Sequence, residues 1–78
     1  MLQVIENELV EYIAKALVDK PEEVSVKETR GGSVTVLELH VDRDDMGRVI
    51  GKDGRVANAI RTLLRVAAGD RRVVLEIV

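Results

Sequence analysis

Apolar residues recur at helical spacing from the start of the chain. They are Leu2, Ile5, Leu9, Tyr12 or Ile13, and Ala16 or Leu17, with Glu6, Glu8, Glu11 and Lys15 on the other faces. This predicts an opening amphipathic helix. Asp19-Lys20-Pro21 ends it, because proline disfavours helical backbone at the residue before it. Val24 and Val26 then alternate with Glu23, Ser25 and Lys27, the pattern of a half-buried strand. Arg30-Gly31-Gly32-Ser33 reads as a hairpin turn, since glycine readily takes the positive φ such turns need. The strand after it places Thr35, Leu37, Leu39 and Val41 on one face and Val34, Val36, Glu38 and His40 on the other.

Asp42-Arg43-Asp44-Asp45 offers several N-cap acceptors for a short helix through Met46, Val49 and Ile50, which Gly51 to Gly54 interrupts. A further helix is predicted from about Arg55 to Ala68, with Val56, Ile60, Leu63, Leu64 and Ala67 as its apolar stripe and Gly69 as its C-terminal cap. Val73, Leu75 and Ile77 alternate as a last strand. The expected class is α+β, in the order α-β-β-α-α-β. Helix-period and strand-period stripes both need a shared core, so one three-stranded sheet with helices on one face is expected, as a single domain over residues 1–78.

Composition narrows the chemistry. The chain lacks Cys, Phe and Trp, and Tyr12 is its one aromatic residue, so the core is aliphatic and neither a disulfide nor a thiolate metal site is available. Apolar runs are short against the roughly 20 residues of a membrane helix. Met1-Leu2-Gln3 lacks a basic start, so a cytoplasmic protein with no membrane partner is expected. The net charge of −2 is unevenly spread. Residues 1–42 carry four Lys/Arg against nine Asp/Glu, and residues 43–78 carry eight against five. An excess of positive charge in the second half suits contact with a polyanion, although Arg61, Arg65, Arg71 and Arg72 also read as an ordinary solvated face.

The informative stretch is Val49-Ile50-Gly51-Lys52-Asp53-Gly54. Two glycines flank two polar residues between two helices. A ligand's backbone can come close to glycine, and amides at the start of a helix favour phosphate oxygens, with Lys52 adding charge at the same point. GxxG by itself is a weak signal. Its placement between two helices, after Val-Ile, and the order of elements match a type II KH arrangement, in which the loop clamps nucleic-acid backbone.

The resemblance covers essentially the whole chain. Leu9 to Val18, then Pro21, then Asp45-Met46-Gly47-Arg48-Val49-Ile50-Gly51-Lys52-Asp53-Gly54-Arg55-Val56-Ala57, then Ala59 to Thr62 and the closing strand are similar to small bacterial KH proteins of the KhpA type. That resemblance implies a non-catalytic protein that binds single-stranded RNA and takes part in post-transcriptional control or RNA chaperoning. It also implies a homodimer, or a heterodimer with a larger KH-containing protein, and no cofactor or metal. Carried onto this sequence, Gly51, Lys52, Asp53 and Gly54 are the grip. Arg48 and Arg55 are further phosphate contacts, and Gly47 and Ile50 the groove floor, with plain core packing an equal reading for Ile50. Gly47 costs roughly 1 kcal/mol in a helix relative to Ala, which makes sense if a backbone or another helix approaches there. Asp53 departs from the family pattern, where a neutral or basic residue stands. It is expected to cap the following helix while weakening the hold on phosphate. With no aromatic residue in the groove unless Tyr12 reaches it from the first helix, base stacking and sequence preference are expected to be weak.

Other readings fit less well. Gly47 to Asp53 is one residue short of a P-loop and has Asp53 where Ser or Thr binds magnesium. Asp42, Asp44, Gly47 and Asp53 have EF-hand-like spacing, but Met46 stands at an oxygen-ligand position and the final Glu is missing. The lone His40 has no nucleophile partner, so catalysis is not expected. The alternative from another class is a protein-interaction or dimerisation module that uses a KH fold, through a sheet edge or through Val34 and Val36.

Overall fold

The computed structural model describes the backbone of residues 2–78 and the side chains of residues 6–78. Helix α1 spans Leu2–Leu17, strands β1 and β2 span Ser25–Gly31 and Val34–His40, helix α2 spans Met46–Ile50, helix α3 spans Arg55–Ala68 and strand β3 spans Arg72–Ile77. Single 3₁₀ turns at Pro21–Glu23, Arg43–Asp45 and Lys52–Gly54 link them. The α+β class and the expected order are those of the structure.

The sheet runs β1-β2-β3, with β1 antiparallel and β3 parallel to the central β2. Gly31 pairs with Val34, leaving Gly32-Ser33 as a two-residue hairpin loop, and Gly32 takes φ +60° as such a loop requires. A parallel neighbour cannot be reached by a tight turn, so β2 and β3 are joined by a crossover that holds both α2 and α3. Leu37 and Leu39 of β2 are buried with Leu75 of β3 under Val10 and Ala14 of α1, Val49 of α2, and Ile60 and Leu64 of α3. The alternation of β2 and β3 is as the sequence implies.

Both long helices are rotated from their expected stripes. In α1 the buried positions are Glu6, Val10 and Ala14, with Leu9 and Ile13 half-buried, while Tyr12 is 75 % exposed. The side chains of Leu2 and Ile5 lie outside the described residues. In α3 the buried positions are Ala57, Ile60, Leu64 and Ala68, while Leu63 is 50 % exposed and Ala67 is exposed. Each stripe contained neighbouring apolar residues about 100° apart on the helix, and packing against the sheet chose between them.

Two buried carboxylates tie the helices down. Glu6, 3 % exposed, accepts a 2.6 Å hydrogen bond from Arg71 in the turn before β3. That bond, and the negative charge behind it, hold the Arg71 guanidinium above the ordinary arginine range. Asp45, 2 % exposed, accepts from the backbone amides of Asp19 and Lys20 at 3.1 Å each. The expected capping therefore divides. Asp42 caps the turn before α2 by accepting from the Asp44 amide at 3.0 Å, whereas Asp45 makes no cap bond to α2 and pins the end of α1 instead. The Asp44 amide, then the nearby Lys20 charge, keep the Asp42 carboxyl below the usual carboxylate range.

Candidate nucleic-acid interface

The chain reverses between α2 and α3 within four residues, and the backbone angles show how. Gly51 has φ 76° and ψ 172°, a region essentially reserved for glycine. Asp53 (φ 56°, ψ 23°) and Gly54 (φ 77°, ψ 15°) follow in left-handed backbone. Aspartate enters that region more readily than most side chains. Its side chain makes no capping hydrogen bond, and Gly54, not Asp53, is the N-cap of α3. The expected capping role of Asp53 is thus replaced by a backbone one: Asp53 is the residue that completes the reversal.

Gly51 is constrained twice. A Cβ there would lie 2.5 Å from Val56 Cγ2 and 2.9 Å from the Val56 nitrogen, so α3 starts directly against it. Gly54 is constrained by its backbone, since among the described residues a Cβ would meet only Asn58 Nδ2 at 3.8 Å. Asn58, one helical turn beyond Gly54, is a neighbour of the loop that the sequence reading did not single out; its i, i+4 spacing from Gly54 was the available signal.

The amides are arranged differently from the expectation. Gly51 donates to the Gly47 carbonyl at 2.9 Å, Gly54 to the Gly51 carbonyl at 3.1 Å, and Arg55 to the Lys52 carbonyl. The first amide of α3 is therefore used internally. The Lys52 and Asp53 amides, which open the turn, have no acceptor within it. Successive amides in such a turn form a concavity suited to an anion.

The other predicted site residues are placed differently from one another. Lys52, Asp53 and Arg55 are exposed, and among the described residues neither Lys52 nor Arg55 has a carboxylate within ion-pair distance. Arg48 is engaged elsewhere: its guanidinium lies 3.1 Å from Asp19 Oδ2 and 3.6 Å from Asp45 Oδ1. Ile50 is half-buried against the core, which supports its packing role. Gly47 is exposed and a Cβ there would meet no atom of the described residues within 4 Å, so none of the described packing requires its smallness.

Comparison with known proteins bears on this geometry. A family model described as KhpA/KhpB, KH domain, matches residues 7–77. The chain is similar to the RNA-binding protein KhpA of Clostridium perfringens (strain 13 / Type A), with 56% identity over 74 residues, 92% of this chain and 99% of that protein. It is 49% identical over 76 residues to the RNA-binding protein KhpA of Treponema pallidum (strain Nichols), covering 95% of each chain. Among solved structures it is similar to a crystal structure of Era in complex with MgGDPNP and nucleotides 1506–1542 of 16S ribosomal RNA. That match has a TM-score of 0.59 and 28% identity, and covers 99% of this chain but 30% of the Era chain.

Proposed function

The chain belongs to the KhpA/KhpB KH-domain family, and from that membership we propose that it binds single-stranded RNA without catalysis, through the loop Gly51–Gly54. The observation that carries the reading is Lys52, an exposed ammonium with no carboxylate partner among the described residues, set on a turn whose opening amides are also unused within it. Relatives of half or more identity are named RNA-binding proteins, and the solved neighbour holds RNA. Those names favour RNA over a purely protein-binding use of the fold.

In this reading Lys52 and the Lys52 and Asp53 amides hold one phosphate and Arg55 a neighbouring one, while Asp53 opposes them. Gly51 and Gly54 shape the turn. Gly47 lets backbone or a base edge approach α2, and Ile50 presents its half-exposed side at the same place. Arg48 contributes only by leaving both Asp19 and Asp45, so it acts as a secondary contact. Phosphate contacts fix register, and unpaired bases then supply whatever preference exists. A cytoplasmic post-transcriptional regulator or RNA chaperone, acting as a dimer or with a larger KH-containing protein, fits such modest recognition, because two weak sites joined in one assembly bind more tightly than either.

Fluorescence anisotropy with single-stranded RNA tests this. Lys52→Glu is expected to lower affinity about tenfold at low salt and to reduce the log–log salt slope by roughly 0.7, the share of one phosphate. The melting temperature should hold, because Lys52 is exposed. Duplex RNA should bind more weakly than single strands. Equal binding by Lys52→Glu and the unaltered protein would remove the loop from the site.

A further inference from the structure

Of the cations placed at the glycine loop, one is already occupied. Lys52 and Arg55 have no carboxylate within ion-pair distance among the described residues, whereas Arg48 Nη2 donates to Asp19 Oδ2 at 3.1 Å. Asp19 lies just past the end of α1, and Arg48 stands in α2 three residues before Gly51, about 4.5 Å of rise at 1.5 Å per residue. A phosphate held beside the loop is therefore within the reach of an arginine side chain. Asp45 is a second carboxylate near Arg48, with Oδ1 3.6 Å from Nε. That contact is longer, and Asp45 already accepts from the Asp19 and Lys20 amides at 3.1 Å each, so its oxygens keep partners when Arg48 moves. Asp19 differs. Its side chain is 71 % exposed, and among the described residues Arg48 is the one partner of its carboxylate. The Arg48 side chain is itself more than half exposed, so the pair adds little to stability and opens readily. A carboxylate and a phosphate also present the same thing to a guanidinium fork, a pair of anionic oxygens. Asp19 and an RNA phosphate are thus rivals for Arg48.

We infer that Asp19 is a positioning residue of the RNA site: it holds Arg48 away from the phosphates at the loop and sets the affinity below what a free Arg48 would give. The inference rests on the RNA-binding reading above and extends it to the strength of the hold. When RNA arrives, Arg48 has two courses. It stays on Asp19, and a phosphate goes without its guanidinium. Or it exchanges Asp19 for the phosphate, and one ion pair is lost as another forms. Either course binds RNA more weakly than a chain in which Arg48 starts free. Asp19 acts here from outside the loop, through a contact between residues 29 apart in sequence. It also repels RNA through its plain negative charge, and the two effects part only when Arg48 is removed.

Anisotropy titrations with a labelled single-stranded RNA decanucleotide at low salt separate them. Asp19→Asn should raise affinity about threefold, the scale of an exposed ion pair. Glu22→Gln removes an exposed carboxylate that has no ion-pair partner among the described residues, and should change affinity less. Asp19→Glu keeps a carboxylate and should keep the unaltered affinity. In an Arg48→Gln background, Asp19→Asn should gain no more than Glu22→Gln does. Melting should be unchanged throughout, because Asp19, Glu22 and Arg48 are all exposed. An equal gain with and without Arg48, or no gain at all, would overturn the role of Asp19 and leave the loop reading standing, provided Lys52→Glu still weakens binding. Binding untouched by Lys52→Glu would overturn the loop reading, and this inference with it.

Discussion

Gly51 lies so close to Val56 that any side chain on it would strike the start of α3, with a Cβ 2.5 Å from Val56 Cγ2 and 2.9 Å from the backbone nitrogen. The loop is therefore locked to the helix that follows it. Gly51→Ala is expected to destabilise the protein by at least about 2 kcal/mol, from left-handed strain together with the clash. Urea denaturation reads this directly. RNA binding lost in a Gly51 variant would report unfolding, whereas Gly54→Ala, strained in backbone only, should cost less.

Asp53 separates charge from backbone. Asp53→Asn keeps a side chain that tolerates left-handed backbone, so stability should change by only a few tenths of a kcal/mol. It removes a negative charge beside the proposed phosphate, so affinity for single-stranded RNA should rise several-fold at low salt, and the gain should shrink as salt is added. Asp53→Ala should show a similar gain in affinity but lose about 1 kcal/mol of stability, because alanine is strained at φ 56°. Affinity that stays flat in Asp53→Asn would place the phosphate elsewhere.

Gly47 should trade stability against binding. Gly47→Ala removes a glycine from α2 and adds a methyl group that meets none of the described residues, so stability should increase by up to about 1 kcal/mol. If RNA approaches α2 at this point, the same methyl group should weaken binding several-fold. A variant with a higher melting temperature and undiminished RNA affinity would remove Gly47 from the groove.

Asp45 is expected to matter for stability alone. Asp45→Ala leaves the Asp19 and Lys20 amides without their acceptor and should cost about 2–3 kcal/mol. Asp45→Asn keeps one acceptor oxygen and should cost less. Below their melting temperatures both variants should bind RNA like the unaltered protein. Selective loss of binding at full stability would contradict a purely structural role.

The glycine loop and the order of elements could be read from the residues because they depend on local preferences. Gly51 and Gly54 are needed wherever the chain turns with positive φ between two helices, and the alternation of Leu37, Leu39, Leu75 and Ile77 is a property of each strand alone. Which helix face meets the sheet is a different kind of question. Tyr12 and Ile13 satisfy the same helical period, as do Leu63 and Leu64, and rotation by one residue exchanges them. Only the docking of α1 and α3 onto β2 and β3 chose Ile13 and Leu64 for the inside.

The same division runs through the charged residues. Asp42, Asp44 and Asp45 are near-equivalent cap candidates to a reader of the sequence. The fold brings the end of α1 beside α2, and its amides recruit Asp45 while Asp42 keeps the cap. Asp53 looked like a cap because it precedes a helix, yet the reversal at Gly51 places it in left-handed backbone and passes the cap to Gly54. The pairing of Glu6 with Arg71 joins residues that no local pattern relates. Periodicity and turn propensity act between near neighbours along the chain, so sequence alone determines them; facing and pairing arise only when distant segments pack together.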